Sequence, residues 1–404
     1  MGNLIVGQSG GPTAVINSSL AGVFSAAEKS GIKKIYGMKN GIKGFLRGNN
    51  VDLSSVFDGA EKISLLKQTP ASFLGSCRYK LPEASEGAEV YGQIFEKLDS
   101  MDIEYFLYIG GNDSMDTIKK LSEYGAKTGS NIKFMGVPKT IDNDLAVTDH
   151  SPGFGSAAKF IATSVRELVC DCRIYDVEAV TIVEIMGRNA GWLTASAALA
   201  RSEDCEGADF IYLPETAFDV DDFIKKVKSL AAEKKSVVAA VSEGIKLKDG
   251  RFVCELVNSG GAKDVFGHTL LSGAGKYLEN RIKNEIKGIK CRSIELSTLQ
   301  RCASHAASLT DIEEAFRAGE ESVNAALRGE SGRVTYFERV SDSPYSCVIK
   351  TCSVQEIANI EKKVPLEWIT DGYVTEDVEK YIRPLIQGSL SLSVENGLPR
   401  LLKL

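Results

Sequence analysis

Six short apolar runs, "NLIVG", "FLYIG", "IKFMGVP", "VTIVEIMG", "SVVAAVSEG" and "RSIELSTL", recur along the chain between amphipathic stretches. Runs of this length that do not alternate with polar residues suit strands covered on both faces, which predicts an α/β protein with parallel, doubly wound sheets. Between them, "AVINSSLAGVFSAAEKSG" (14–31) places apolar residues at helical spacing and closes on Gly31. "DSMDTIKKLSEYGAK" (113–127) reads the same way, with Gly125 near its end. Each strand therefore leads through a Gly-rich turn into a helix, and in such sheets ligands gather at the carboxyl ends of the strands. "TDHSPGFGSAAKF" breaks the strand rhythm with Pro and Gly and predicts a domain boundary near residue 150. The Lys/Glu-rich stretches at 225–235 and 276–290 read as solvated helix faces.

Length and composition narrow the class further. A chain of 404 residues, 43% hydrophobic and 25% charged, can bury the cores of two packed domains or more. A formal charge of −6 argues against general nucleic-acid binding and leaves phosphate chemistry to local pockets. Nine scattered cysteines suggest reduced thiols of a cytoplasmic protein, with Cys170 and Cys172 read as buried thiols. Only His150, His268 and His305 are present, too few to suggest a histidine-based metal site, and Cys302 with His305 reads as a helix or core pair. No basic leader and no apolar run of membrane length is apparent, so no membrane partner is expected.

The candidate chemistry lies in the turns. "GQSGGPTAVINSS" follows the first strand, and Gly10 and Gly11 let backbone N–H groups approach an anion at a helix start; a structural tight turn explains the same residues. "SFLGSCRYK" adds Arg78 and Lys80, either phosphate contacts or solvated charges. "IGGNDSMDT" sets the carboxylate of Asp113 behind two glycines, where a phosphate would be repelled. The densest stretch, "PKTIDNDLAVTDH", crowds Lys139, Thr140, Ile141, Asp142, Asn143 and Asp144 past a strand end. A carboxylate there could take the proton from a hydroxyl attacking phosphorus while the lysine neutralises the transferring group. "EIMGRNAGWL" supplies Met186, Gly187 and Arg188, which could set a guanidinium and backbone N–H groups over a sugar phosphate. "SEGI" supplies Glu243, a sugar-hydroxyl acceptor or a capping acid, and "CRSIELSTLQRCAS" supplies Arg292 and Arg301.

Taken together, "GQSGGPTAVIN", "FLGSCR", "GGNDS", "PKTIDND", "MGRNAGWL", "SEG" and "LQR" resemble the phosphofructokinases, in order and over roughly the first 305 residues. The tail, with "VPLEWITDGYVTEDVEKYIRPLIQGSL", resembles the longer bacterial pyrophosphate-using branch. The resemblance implies two Rossmann-like domains with the active site in the cleft between them. Residues 1–150, completed by about 300–350, would bind the phosphoryl donor; 151–299 would bind fructose 6-phosphate; 351–404 would be an extension packing on both. ATP-using members generally carry glycines where this chain has Asp113 and Lys139, so Asp113 would exclude a nucleotide's inner phosphate and Lys139 would serve pyrophosphate.

The implied reaction is reversible phosphoryl transfer from pyrophosphate to the 1-hydroxyl of fructose 6-phosphate, with Asp142 as general base. Gly10, Gly11, Arg78 and Lys139 would bind pyrophosphate. Thr140, Ile141, Asp142, Met186, Gly187, Arg188, Glu243, Arg292 and the run Thr298, Leu299, Gln300, Arg301 would bind fructose 6-phosphate. Mg²⁺ would sit near Asn112 and Asp144, although Asn112 replaces the family's usual metal aspartate. Thr298 stands where a histidine is common, and Ala179 where many members place an arginine for a neighbouring subunit, which makes Arg292 the candidate for completing a partner's site in a homodimer or homotetramer. The competing readings are an ATP-dependent phosphofructokinase, a regulatory subunit of this fold, and a nucleotide sensor.

Overall fold

The computed structural model describes residues 2–174, 176–256 and 273–404. Among them, eleven strands build the main sheets: β1 (Asn3–Gln8), β2 (Ile35–Met38), β3 (Asn50–Asp52), β4 (Ile103–Gly110), β5 (Lys133–Pro138), β6 (Ala179–Ile185), β7 (Phe210–Tyr212), β8 (Ser236–Ser242), β9 (Lys290–Glu295), β10 (Arg333–Asp342) and β11 (Tyr345–Ser353). The six apolar runs are β1, β4, β5, β6, β8 and β9. The chain divides into two compact units. One comprises Met1–Ser156, Arg301–Glu361 and Gln387–Leu404; the other comprises Ala157–Gln300 and Lys362–Ile386.

The first unit holds a seven-stranded sheet of order β11-β10-β5-β4-β1-β2-β3. Its central strands are parallel, while β3 and β11 pair antiparallel at the two edges. Successive residues of β1 feed opposite cores: Leu4 and Val6 pack with Leu20, Phe24 and Val323, whereas Ile5 packs with Ile94, Phe106 and Ile118. Both faces are thus apolar, each fully buried side chain contributing roughly 1.5–3 kcal/mol, which is why the run shows no polar alternation. Helices Ile16–Lys29 and Leu309–Leu327 cover one face and cross at glycines. A Cβ on Gly22 would stand 1.9 Å from Phe316 O, and one on Gly319 2.1 Å from Ser19 O. The helix Asn112–Thr128 ends at Gly129 (φ 73°), not at Gly125, where a Cβ would stand 3.2 Å from the Phe134 ring.

The second unit holds an all-parallel sheet of order β7-β8-β6-β9. Val180, Ile182, Val237, Ala239 and Val241 pack on one face against Phe223, Val227, Leu278 and Ile282. Those four belong to the helices Val220–Glu233 and Ala274–Glu285, which carry the two Lys/Glu-rich stretches on their solvent sides. Thr181 faces the other way and meets Cys172 Sγ at 3.2 Å. The tail does not behave as one extension. Residues 362–386 join the second unit, where Trp192 packs on Trp368 and Tyr381 and Glu215 accepts from the N–H groups of Gly191 and Val364. Residues 387–404 return to the first, held by the Gln68 side chain on Ser393 and Arg400. Among the described residues no helix is long and apolar enough to cross a membrane.

Candidate functional site

In the first unit the turns after β1, β4 and β5 meet at the carboxyl edge of the sheet. Gly10, at φ 76°, is held by Cys77 O (3.3 Å from its N–H) and gives its carbonyl to Ser76 Oγ (2.7 Å). Lys139 follows β5, donates its backbone N–H to Gly110 O (3.0 Å), and turns its ammonium back to Gly11 O at 2.7 Å. Side chains on the two glycines would obstruct this. A Cβ on Gly10 would stand 3.4 Å from Lys139 Nζ, and one on Gly11 3.3 Å from Arg301 Nη1. Lys139 is buried, and that burial lowers its pKa from 10.5 to about 8, with Asp142 and Asp144 opposing the fall and Arg301 and Arg78 adding to it.

The carboxylates are arranged around Thr140. Its hydroxyl accepts from Asp142 N at 3.1 Å and also stabilises the Asp144 carboxylate. Burial first, then Asp142 and more weakly Glu361, raises the Asp144 carboxyl to about 7. Asn112 begins the helix Asn112–Thr128 and points its amide at Asp144 Oδ2 (3.4 Å), while its Oδ1 is buried without a hydrogen-bond partner. The helix N-terminus therefore faces the same edge with its positive end. Asp113 is exposed in the first turn of this helix, where an acid suits the dipole. Arg78 is exposed, and Arg301 leaves its Nε buried without a partner.

The second unit gathers another set at the carboxyl ends of β6 and β8. Gly187, at φ 138°, could not carry a Cβ, which would stand 2.7 Å from Ala190 O. Its N–H goes to Glu243 Oε1 and that of Met186 to Gln300 Oε1, both at 3.3 Å. Those two amides are therefore already used inside the turn, and Arg188 follows it directly in the chain. Glu243 here braces a backbone turn.

The substrate run from 298 to 301 is split. Gln300 is buried with Met186 in the second unit, Thr298 and Leu299 are exposed, and Arg301 belongs to the first unit beside Gly11. Arg292 is not brought to Gly187. It pairs in register with Thr181, four residues before the end of β6 and so about 13 Å along the strand, and its guanidinium binds Asp171 Oδ2 (2.8 Å) and Thr181 Oγ1 (3.1 Å). One minor expectation is corrected: Cys170 is exposed, not buried. Cys302 ends one helical turn and the exposed His305 lies in the next, the helical rather than the core alternative. His268 lies outside the described residues. Sequence reasoning also passed over Glu361 near Asp144 and the carboxylates Asp311 and Glu314, because nothing in the order of residues announces a side chain arriving from far along the chain.

Glycine turns, a buried lysine and paired carboxylates at a strand edge define a phosphoryl-handling α/β protein. A family model described as phosphofructokinase matches residues 3–326, and the chain belongs to that family. It is 42% identical over 403 residues (98% of this chain, 94% of the relative) to the pyrophosphate--fructose 6-phosphate 1-phosphotransferase of Methylococcus capsulatus. It is 43% identical over 408 residues (100% and 96%) to the protein of that name from Xanthomonas campestris pv. campestris. The crystal structure of the pyrophosphate-dependent phosphofructokinase from Nitrosospira multiformis superposes with a TM-score of 0.87 at 36% identity, covering 98% of this chain and 95% of that one.

Proposed function

We propose that this protein transfers a phosphoryl group reversibly between pyrophosphate and the 1-hydroxyl of fructose 6-phosphate, giving fructose 1,6-bisphosphate and phosphate. The observation that carries the reading is the buried Lys139 ammonium, seated on Gly11 O beside Asp142 and Asp144. A cation in that position answers the charge of a diphosphate without any nucleotide. Asp142 takes the proton from the attacking hydroxyl, helped by its place on the same loop as the cation. Arg78 and Arg301 bear on the same field, and Gly10 and Gly11 keep the approach open. In the second unit, Arg188 serves the 6-phosphate, while Glu243 and Gln300 shape the turn that presents it. Asp113, on the first turn after β4, faces a nucleotide with like charge and bulk.

The residues present fit Mg²⁺. Asn112 Oδ1 is an unpartnered buried acceptor beside the Asp144 carboxylate, and Mg²⁺ takes few protein ligands, keeping waters and phosphate oxygens. When bound it supplies charge neutralisation on the phosphate oxygens. The reading extends to a cytoplasmic homodimer or homotetramer in which Arg292, half-exposed on the edge strand β9, is offered to a neighbouring copy. The deciding assay follows fructose 1,6-bisphosphate formation with pyrophosphate or ATP as the donor. Turnover with pyrophosphate alone is expected; turnover with ATP and none with pyrophosphate would overturn the reading.

A further inference from the structure

The loop after β5 carries Lys139, Asp142 and Asp144, and its far end is fastened by a buried charge cluster that takes no part in the proposed chemistry. His150 is 2% exposed. Its Nδ1 lies 2.8 Å from Asp149 Oδ1 and its Nε2 2.7 Å from Glu314 Oε2. A neutral imidazole has one donor and one acceptor nitrogen, so two carboxylate partners are satisfied together by the imidazolium, in which both nitrogens donate. The carboxylates are anchored in turn: Arg339 Nη2 donates to Asp149 Oδ1 (3.0 Å) and the Tyr345 hydroxyl to Glu314 Oε1 (2.7 Å). The ring stacks on Phe337 at 4.8 Å, and Phe337 bonds Asp149 and Thr148 through its backbone.

From this anchor to the reactive carboxylates is a short path. Ser151, the next residue, donates its N–H to Asn143 Oδ1 at 3.0 Å. Asn143 is fully buried, adopts φ 55°, and stands between Asp142 and Asp144. A left-handed residue whose side chain is tied to the backbone fixes the directions in which its two neighbours leave the chain. We infer that His150, clamped as an imidazolium between Asp149 and Glu314, is the positioning residue that keeps the Asp142–Asp144 loop in its reactive geometry. The inference rests on the reading of Asp142 as the base.

Burial alone would depress the His150 pKa, but Glu314 and Asp149 more than reverse this and hold it at about 9. The surrounding titratable groups are Asp149 on its own loop, Asp311 and Glu314 on the helix Leu309–Leu327, Arg339 on β10, and Tyr345 and Cys347 on β11. Because the folded pKa is raised, the clamp is complete below about 6.5 and is lost as pH rises through about 9.

The test compares the unaltered protein with His150→Gln. In the folded variant kcat is expected to fall about 10- to 100-fold, as small misplacements of a reacting group do, with KM for fructose 6-phosphate changed less than about threefold. Loss of the Lys139 proton gives an alkaline limb in both proteins, and the unaltered protein should carry a further loss of kcat near pH 9 that the variant lacks. A folded variant with unaltered kcat overturns the inference. Should His150→Gln not fold, ring ¹⁵N NMR and amide exchange of the unaltered protein decide. Both ring nitrogens are expected to be protonated at pH 8, and Ser151 amide protection to be lost in the same transition as the ring proton. A neutral ring at pH 8, or protection unchanged across its titration, refutes the clamp. These two measurements need no activity, so failure of the pyrophosphate assay and failure of the clamp are told apart.

Discussion

Removing the Lys139 ammonium is expected to stabilise the fold while disabling the reaction. Its burial lowers the pKa from 10.5 to about 8, and that difference corresponds to roughly 3 kcal/mol of unfavourable free energy carried by the folded protein at neutral pH. Because the unfolded chain holds this proton more tightly, the wild type gains that amount as pH rises from about 8 to about 10.5. Lys139→Met removes the charge and keeps most of the volume, but takes the donor from Gly11 O, a part-buried acceptor now bonded at 2.7 Å, at a cost of up to about 1–3 kcal/mol. The net effect at pH 7 is a gain of about 0–2 kcal/mol. The informative quantity is its pH dependence: the variant's advantage should shrink by roughly 2.5 kcal/mol between pH 7 and pH 10. Urea unfolding at pH 7, 8, 9 and 10 measures this, while kcat should fall by about 10²- to 10³-fold. A stability difference that stays constant or grows with pH would refute the argument that the lysine is held against its solvation preference.

Asp142→Asn should lower kcat by about 10²- to 10⁴-fold and change stability by less than about 1 kcal/mol, read by the donor assay and by thermal unfolding. Replacing both Asp113 and Lys139 by glycine should admit ATP, measured by ATP titration calorimetry; no binding would mean that other walls of the pocket exclude it. Chelation with EDTA should abolish turnover and added Mg²⁺ restore it, and Asn112→Ala should raise the Mg²⁺ needed for half-maximal rate by about tenfold or more. Gly22→Ala should destabilise by about 1–3 kcal/mol, since its Cβ would stand 1.9 Å from Phe316 O; an unchanged melting temperature would show that the helices can part freely.

The parts of the fold legible in the sequence were those with a local cause. The run "FLYIG" is apolar on both faces because each face of β4 has its own core, "VTIVEIMG" is buried along nearly all of β6, and such strands announce themselves. β10 and β11 did not, because they are half exposed along a sheet edge and mix charge with apolar residues. The loop 138–144 was legible from crowding alone, since three charges and a threonine after a buried strand need one another as partners. What holds that loop was not. Glu314 and Asp311 arrive from a helix more than 150 positions away and donate nothing to the local pattern. Arg301 illustrates the same limit: it follows Gln300 directly in the chain, yet the two residues belong to different units.

Lys139 and Asp144 are displaced in opposite directions by one cause. Desolvation disfavours the charged form of each, driving the ammonium down to about 8 and the carboxyl up to about 7. Without ligands, then, both groups are charged together only in a narrow interval near neutrality. Anions beside the lysine would raise its pKa, and a cation beside Asp144 would lower that of the carboxyl, so both displacements widen the interval in the loaded site. The same desolvation that makes the loop unfavourable when empty makes each incoming charge more strongly held, because no water competes for it. A loop under that tension relaxes unless its ends are tied. The bonds from Lys139 N to Gly110 O at one end and from Ser151 N to Asn143 Oδ1 at the other oppose that relaxation. Fold stability and reactivity therefore trade against one another at the same few residues, and a substitution that relieves the first should be read first for its effect on the second.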